Sequence, residues 1–421
     1  MDVFSSILGS FNAAIAEAVA VGGLLIPIGT LGVIRWFFWL AKVIPALFYR
    51  PIRNDFNCSA TIVTPVYNED PRLFRQAIES WIRNKPNRII AVIDDTDVAC
   101  QQIARDYPEV ETITTDVPGK RHALVLGIRA ATTDIIALVD SDVIWESDVL
   151  AKLKMPFVDP KIGGVGTRQH MMPTNGKRPT LWERMSDILL DLRYTAEVPA
   201  TVAIGNAVSC LSGRTAAYRT DLVKRLSEPF LNETFNGRQV LSGEDKWFTC
   251  LVLMEGYRTY NQLNAHVFST FKPDFKGFVK QRVRWGRNSL RSDLRALWKG
   301  WVWRFPYLAL SLLDKTVAPF TLLLSPIALI FAIVLGKVWL VVGILVWWLI
   351  SRGIKLLPHF VRRPLDVFLL PLYVPLSFFL SLVRAHSLFT LNRHEWLTRN
   401  VAMQGNRAVR TAGGVSGGGA A

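Results

Sequence analysis

Residues 59–70 read SATIVTPVYNED, and this stretch decides the fold class of the 421-residue chain. Its first eight residues are rich in β-branched side chains and predict a buried strand. Pro71 then stands where a helix would begin, and helical spacing continues to residue 84. Further β-rich runs, RIIAVI at 88–93 and DIIALV at 134–139, flank a second helical stretch at 119–131. Strand–helix alternation predicts a parallel sheet with right-handed crossovers, and therefore an α/β domain.

Each of these three predicted strands ends in a polar cluster. The clusters are Tyr67-Asn68-Glu69, Asp94-Asp95 and Asp140-Ser141-Asp142. A single Asp in such a place is more often a turn residue than a ligand. In a parallel sheet, however, the carboxyl ends of the strands meet at one edge, where ligands bind. Asp140 and Asp142 flank one residue and offer only oxygen ligands, so they predict a site for Mg²⁺ or Mn²⁺ beside a phosphate.

Two basic motifs provide the complementary charge for a phosphate. Gly119-Lys120-Arg121-His122 opens the helix before the third strand, where cations and free N–H groups come together. Gln281-Arg282-Val283-Arg284-Trp285 lies within 272–304, which holds ten Lys or Arg residues and only two acids. Most of these cations fit a plain anchor to anionic lipid, but Gln281, Arg284 and Trp285 are interpreted as site residues. An apolar stripe of four residues in the same stretch is suited to a membrane surface: Leu290, Leu294, Leu297 and Trp301.

A further acidic cluster, Ser242-Gly243-Glu244-Asp245-Lys246, precedes a helical stretch at 247–255. Asp245 suits two roles at this position. It can be an ordinary first-turn acid that complements the helix dipole. The glycine before two adjacent acids indicates instead a carboxylate presented at a cleft.

Apolar residues crowd into both ends of the chain and predict membrane segments. Residues 13–34 are long enough for one span, and the cations that follow place the next domain in the cytoplasm. Residues 36–49 are short and aromatic, and either lie at the interface or form a second crossing. Near the C-terminus, 317–335 and 338–357 predict a hairpin of spans, and 366–383 predicts a third apolar segment that crosses, re-enters or lies at the interface.

Composition excludes several classes of protein. Half of the residues are hydrophobic and a fifth are charged, which excludes a disordered chain. The four cysteines are widely spaced without a CxxC pair, so neither a zinc site nor a disulfide framework is expected. The formal net charge is +15, yet no nucleic acid is expected as a partner.

With these motifs in order, the chain resembles the processive glycosyltransferases of family 2, which have a GT-A fold. The resemblance covers about 57–290 and the C-terminal membrane part, and it rests on six motifs: Val66-Tyr67-Asn68-Glu69, Asp94-Asp95, Gly119-Lys120-Arg121, Asp140-Ser141-Asp142, Gly243-Glu244-Asp245 and the QxxRW at 281–285. Four stretches are similar to the branch of hyaluronan synthases and the type 3 pneumococcal capsule synthase: 117–121, 138–142, 163–169 and 210–215. Trp396-Leu397-Thr398-Arg399 is similar to the WGTR motif of the family, with Leu in place of Gly.

The resemblance implies a role for each site residue. Asp245 would be the general base, and Asp142, with Asp140, would hold Mg²⁺ or Mn²⁺. Residues implied in binding UDP are Tyr67, Glu69, Asp94, Lys120, Arg121, Asp140, Gln281, Arg284, Trp396, Thr398 and Arg399. Residues implied at the acceptor are Cys210, Arg214 and Trp285.

The resemblance also implies a domain plan and a function. The plan has N-terminal membrane segments at 1–56, a cytosolic GT-A domain at 57–270, interface helices at 271–312, C-terminal membrane segments at 313–391, a gating loop at 392–402 and a tail at 403–421. The implied function is polymerisation of a β-linked polysaccharide from UDP-sugars, with UDP-GlcA as one donor. The polysaccharide would be exported across the plasma membrane, and membrane lipids would be further partners of the protein. A transferase that adds one sugar to a lipid is the alternative, and a transporter would explain the spans but not the ordered motifs. The oligomeric state is left open.

Overall fold

A computed structural model describes residues 30–393, the short strands at 401–404 and 407–410, and the single positions 9 and 13. Most of the predicted span at 13–34 and the gating motif at 396–399 lie outside these described residues.

The sheet domain, residues 60–270, is built on one mixed sheet of eight strands in the order β3-β2-β1-β4-β7-β6-β10-β5. In chain order the strands are β1 Ala60–Val66, β2 Arg88–Asp94, β3 Val110–Thr115, β4 Ile135–Val139, β5 Ile144–Trp145, β6 Ile162–Met172, β7 Thr215–Arg219, β8 Thr234–Phe235, β9 Arg238–Gln239, β10 Arg258–Thr270, β11 Val401–Gln404 and β12 Arg407–Arg410. The pairs β8–β9 and β11–β12 form two small separate sheets. β1 to β4 pair in parallel, as predicted, so the three polar clusters share one edge. β7 runs antiparallel to β4 and β6, which the sequence did not indicate.

Helices cover both faces of the sheet and continue into the C-terminal part. They are α1 Thr30–Leu47, α2 Pro71–Arg83, α3 Val98–Arg105, α4 Lys120–Ala130, α5 Val149–Lys154, α6 Leu181–Leu192, α7 Val198–Gly205, α8 Thr220–Arg225, α9 Ser227–Leu231, α10 Glu244–Met254, α11 Phe275–Trp298, α12 Pro306–Val334, α13 Val338–Arg362 and α14 Leu370–Phe389. A π-helical turn, Arg193–Glu197, joins α6 to α7. The Asp70 side chain caps α2 by accepting from Arg72 N–H, with Pro71 in the first turn, so the predicted start is confirmed.

α4 packs so closely on the sheet that only glycine fits at one position. A Cβ added to Gly127 would lie 2.3 Å from Val63 Cγ1 and 3.3 Å from Val92 Cγ2. This close approach fixes α4 against β1 and β2. The N-terminus of α4, and with it Lys120, therefore lies near the carboxyl ends of those strands.

Three described segments are long and apolar enough to cross a membrane: Pro306–Val334, Val338–Arg362 and Pro364–Phe389. They coincide with the predicted hairpin and the third apolar stretch. α1 runs continuously through Arg35, which separates the predicted segments 13–34 and 36–49, and whether 36–49 crosses the membrane or lies at its interface stays open. Arg35 and Lys42 of α1 form ion pairs with the buried carboxylate of Asp314 in α12.

The apolar stripe predicted for the membrane surface faces protein instead. Leu290 is 1% exposed. Leu297 and Trp301 pack on a buried cluster that includes Leu253 and Leu308. α11 therefore lies between the sheet domain and the apolar helices.

A buried ionic network joins α6 to the end of α13. His359 is 1% exposed, with Nδ1 2.7 Å from Asp191 Oδ2 and Nε2 2.8 Å from Asp366 Oδ2. Arg362 pairs with Asp187 at 2.8 Å and with Asp191 at 2.6 Å. Each ring nitrogen of His359 faces a carboxylate oxygen, and an imidazolium, which donates from both nitrogens, would satisfy both contacts.

We expect His359→Leu to destabilise the protein, since it leaves Asp191 and Asp366 facing each other across an apolar side chain. Removing one partner from a buried ionic contact costs about 3–5 kcal/mol. The melting temperature of the purified chain in detergent should therefore fall by at least about 3 °C. His386 is exposed on α14, and His386→Leu is the matched control, with little change expected. Equal melting temperatures for the two variants would contradict this role.

Candidate active site

The carboxyl ends of the strands open into a cleft of about 650 Å³. Its wall on the sheet side carries all three polar clusters, represented by Tyr67, Glu69, Asp94, Asp140 and Asp142. Glu69 accepts a hydrogen bond from Ser141 Oγ at 2.7 Å, so the first and third clusters are in direct contact. The convergence predicted from the parallel strands is therefore present.

Lys120 lies between two acids at the floor of this cleft. Its Nζ is 2.6 Å from Asp140 Oδ1 and 2.5 Å from Glu244 Oε1. Burial by itself would lower the pKa of Lys120, but the two carboxylates outweigh it and raise that pKa above its ordinary value. The cation thus stays charged and links the end of β4 to the start of α10.

Asp245 projects from the first turn of α10 into the same cleft. Its Oδ2 accepts the Gly213 N–H at 3.2 Å, and its Oδ1 accepts the Lys246 N–H at 2.7 Å. Burial, helped by the negative charge of Glu244, raises the pKa of Asp245 above its ordinary value. A buried carboxylate with a raised pKa is suited to take up a proton from a bound hydroxyl.

Glycine is required at the turn that presents Asp245. Gly243 has a φ of +87°, and a Cβ there would lie 2.8 Å from Asn288 Cβ. The turn therefore places α10 directly against α11.

Cys210 also borders Asp245, with its Sγ 3.8 Å from Asp245 Oδ2. Burial raises the pKa of the Cys210 thiol to about 11, so the thiol stays protonated.

The opposite wall of the cleft is formed by α11 and by the end of β10. Gln281, Arg284 and Trp285 of the QxxRW motif line it together with Arg214. The buried Oε1 of Gln281 accepts no hydrogen bond from any described residue, so it is available to a ligand hydroxyl. Arg282 lies in the same wall, although sequence reasoning had not assigned it to the site.

Asp140 and Asp142 fit a divalent cation by the chemistry of their ligands. In the described part of the chain, no group of three or more His, Cys, Asp or Glu residues is arranged to hold a metal ion alone. Mg²⁺ and similar ions are commonly held by one or two carboxylates, with phosphate oxygens and water completing the shell. Two half-buried aspartates in a cleft suit this arrangement, and they suit Mg²⁺ and Mn²⁺ equally.

Arg121 does not reach the cleft, in contrast to its predicted role. It is 6% exposed, pairs with Glu233 and donates to the Phe230 carbonyl at 2.7 Å. Consecutive helical residues are rotated by about 100°, so Lys120 and its neighbour cannot both face the cleft. Trp396, Thr398 and Arg399 lie outside the described residues.

The cleft continues from Asp245 to the apolar helices. Residues of α12 and α14 line its far end: Leu308, Ser311, Lys315, Leu380, Val383 and Arg384. Lys315 pairs with Glu197 of the π-helical turn at 3.1 Å. Sequence reasoning missed these residues, although single cations inside apolar runs were an available signal.

Comparison with known proteins agrees with this architecture. The chain is 27% identical over 363 residues to a type 2 glycosyltransferase of Pyricularia oryzae, covering 80% of this chain and 74% of that protein. It is 26% identical over 390 residues to a hyaluronan synthase of Streptococcus pyogenes, covering 88% and 91%. Among solved structures, a mannosyltransferase of Pyrobaculum calidifontis, in complex with GDP-Man and Mn²⁺, has a TM-score of 0.60 at 20% identity, covering 93% of this chain and 100% of that one.

The fold and the family follow from these likenesses. The structural match confirms the GT-A fold predicted from the sequence. A sequence model described as Glycosyltransferase like family 2 matches residues 59–288, which is more than half of the chain. The protein belongs to Glycosyltransferase like family 2.

Proposed function

We propose that the protein is a processive, inverting glycosyltransferase that polymerises a β-linked polysaccharide from UDP-sugars and passes it into the membrane. One observation carries this proposal: the cleft that holds Asp245 also holds residues of α12 and α14. An acceptor chain that extends from Asp245 along this cleft would contact α12 and α14, which line the far end of the cleft. The similarity to a hyaluronan synthase over most of both chains supports the same reading.

The sheet wall would bind the donor nucleotide. Asp94, with Tyr67 and Lys120 nearby, would contact the uracil, and Glu69 would hold the Ser141 loop in place. Gln281 and Arg284 would approach the donor from α11. Asp140 and Asp142 would hold Mg²⁺ or Mn²⁺, which when bound neutralises charge on the leaving diphosphate.

Asp245 would remove the proton from the acceptor hydroxyl. As that oxygen forms its bond to C1 of the donor sugar, the C1–O bond to UDP breaks and the electron pair leaves with UDP. Attack from the face opposite to UDP inverts the anomeric carbon, so an α-linked donor gives a β-linkage. Trp285, beside Cys210 and Arg214, would offer an indole face to the acceptor sugar ring.

We further propose that UDP-GlcA is one donor and that the chain resides in the plasma membrane with this domain in the cytoplasm. UDP-sugars are cytoplasmic substrates under this proposal, so the cleft must open to that side. Arg362 and Arg363 at the end of α13 agree with a cytoplasmic position of that end.

Product length tests the function directly. The purified chain in lipid nanodiscs, supplied with pairs of UDP-sugars that include UDP-GlcA, should release UDP and form a polymer of many sugars. A sizing column would measure the length of the intact radiolabelled product. Digestion of the same product with glycosidases of known specificity would identify its linkage. A product of one sugar on a lipid would contradict processive synthesis while retaining transferase activity.

Asp245→Asn tests the base. The amide cannot accept the proton, so the rate of UDP release with acceptor should fall at least about 100-fold. UDP binding, measured by calorimetry, should persist because Asp245 is assigned to the acceptor. Asp221→Asn removes an exposed acid of α8 and should leave the rate unchanged. A variant with near-normal polymer yield would exclude Asp245 as the base.

Metal removal tests Asp140 and Asp142. Excess EDTA should abolish UDP release, and Mn²⁺ or Mg²⁺ should restore it, because both ions prefer oxygen ligands. Zn²⁺ should restore it poorly. Asp142→Asn should raise the concentration of Mn²⁺ needed for half-maximal activity. Full activity in excess chelator would contradict the metal site.

A further inference from the structure

Two arginines in the α11 wall share a single aromatic side chain. The Cζ atoms of Arg214 and Arg282 lie 5.7 Å and 5.1 Å from the ring centroid of Trp285. Each also lies over a second ring, Arg214 over Phe271 at 4.1 Å and Arg282 over Phe278 at 4.9 Å. Both guanidinium groups line the cleft. Two like charges therefore meet at the residue assigned to the acceptor sugar.

Within the described residues, both arginines donate their side-chain hydrogen bonds to neutral groups. Arg214 donates to Gln169 Oε1 at 2.9 Å, and Arg282 donates to Ser186 Oγ at 3.3 Å. The buried Nε of Arg282 has no acceptor among those residues. None of the described carboxylates lies within 4.0 Å of either guanidinium, although Asp140 and Asp142 act on Arg214 from farther away.

Two lysines that also line the cleft differ in this respect. Lys120 contacts Asp140 and Glu244, and Lys246 lies 2.6 Å from Asp293. Burial, with the like charge of Arg214, lowers the pKa of Arg282 to about 9. At neutral pH both arginines are still cations, and a cation without a carboxylate contact in a half-buried wall favours an anionic ligand.

We propose that Arg214 and Arg282 form a subsite for the carboxylate of an acidic sugar of the uronic acid class, whose ring stacks on Trp285. The indole offers the apolar face that a sugar ring needs, and the guanidinium groups suit a planar carboxylate. The subsite would select the acidic sugar when it is the terminal unit of the acceptor. This inference rests on the proposed transferase function for its role in catalysis, but not for binding.

A donor phosphate is also an anion, and the experiment must separate it from a carboxylate. The probes are methyl β-D-glucuronoside, its neutral methyl ester and UDP. The full chain in detergent would be titrated with each probe, and the dissociation constants measured by ligand-observed NMR or calorimetry. Binding of these probes requires no turnover, so the subsite is tested even if no polymer forms.

Arg282→Gln keeps a polar side chain with a hydrogen-bond donor, but it shortens the side chain and removes its charge. We expect it to weaken glucuronoside binding at least about 10-fold, the usual scale for a hydrogen bond to a charged group. Binding of the methyl ester and of UDP should change less than about 2-fold, because under this proposal neither probe places a carboxylate against Arg282. Arg282→Lys should recover part of the glucuronoside affinity because it restores the charge.

Lys280→Gln is the matched control, since it removes one exposed cation from the same helix outside the cleft. It should leave the dissociation constants of all three probes unchanged. Equal losses for the glucuronoside and its ester in Arg282→Gln would overturn the carboxylate subsite. Weaker UDP binding with unchanged glucuronoside binding would overturn it too, and would assign Arg282 to the diphosphate. If the wild-type chain binds the glucuronoside no better than the ester, the proposal also fails.

In the working enzyme the same variant should change specificity. With the glucuronoside as acceptor, the KM should rise at least about 10-fold in Arg282→Gln while kcat stays similar, because the lost contact holds the ground state and transition state alike. A chain that binds the glucuronoside as proposed but transfers no sugar would contradict the proposed function alone.

Discussion

An ionic network buried between α6 and α13 ties the apolar helices to the wall of the cleft. Asp187 and Asp191 of α6 contact Arg362, and the His359 ring joins Asp191 to Asp366. Such contacts are directional, and groups this buried tolerate neither sliding nor separation without leaving a charge unpaired. α6 leads directly into the π-helical turn whose Arg193 and Glu197 line the cleft. The network therefore fixes the membrane side of the protein relative to the wall of its active site.

Charge is segregated within the cleft. The sheet wall carries carboxylates at the ends of β1, β2 and β4, with Lys120 as a cation between Asp140 and Glu244. The α11 wall carries guanidinium groups and aromatic rings instead. A metal with a diphosphate suits the first wall, and an anionic or ring-shaped ligand suits the second. Asp245 lies where the walls meet, so donor and acceptor would approach it from opposite sides.

The sequence allowed the sheet wall to be predicted because strand ends in a parallel sheet share an edge, whatever the loops do. The helical walls were harder to predict, since a motif does not state which way each side chain turns. Lys120 and Arg121 are adjacent, yet the first faces the cleft and the second pairs with Glu233. For the same reason Arg282 was not assigned to the site, because only the first, fourth and fifth positions of the QxxRW motif at 281–285 were interpreted as site residues. The antiparallel β7 was missed because a five-residue run gives no signal of direction.

Cations in the apolar helices indicate that these helices complete the cleft as well as anchor it. A charge inside such a helix is costly unless it has a partner or reaches water. Lys315 of α12 meets Glu197, and Arg384 of α14 lies 3.7 Å from Asp293, which also holds Lys246 at 2.6 Å. Lys246 follows Asp245 in the chain and donates its N–H to that carboxylate. A series of contacts thus runs from Arg384 of α14 through Asp293 to Lys246, and its last link is the backbone N–H of Lys246 on the carboxylate of Asp245. Under the proposed function this arrangement would couple the apolar helices, along which the product would leave, to the alignment of Asp245, because both depend on the same contacts.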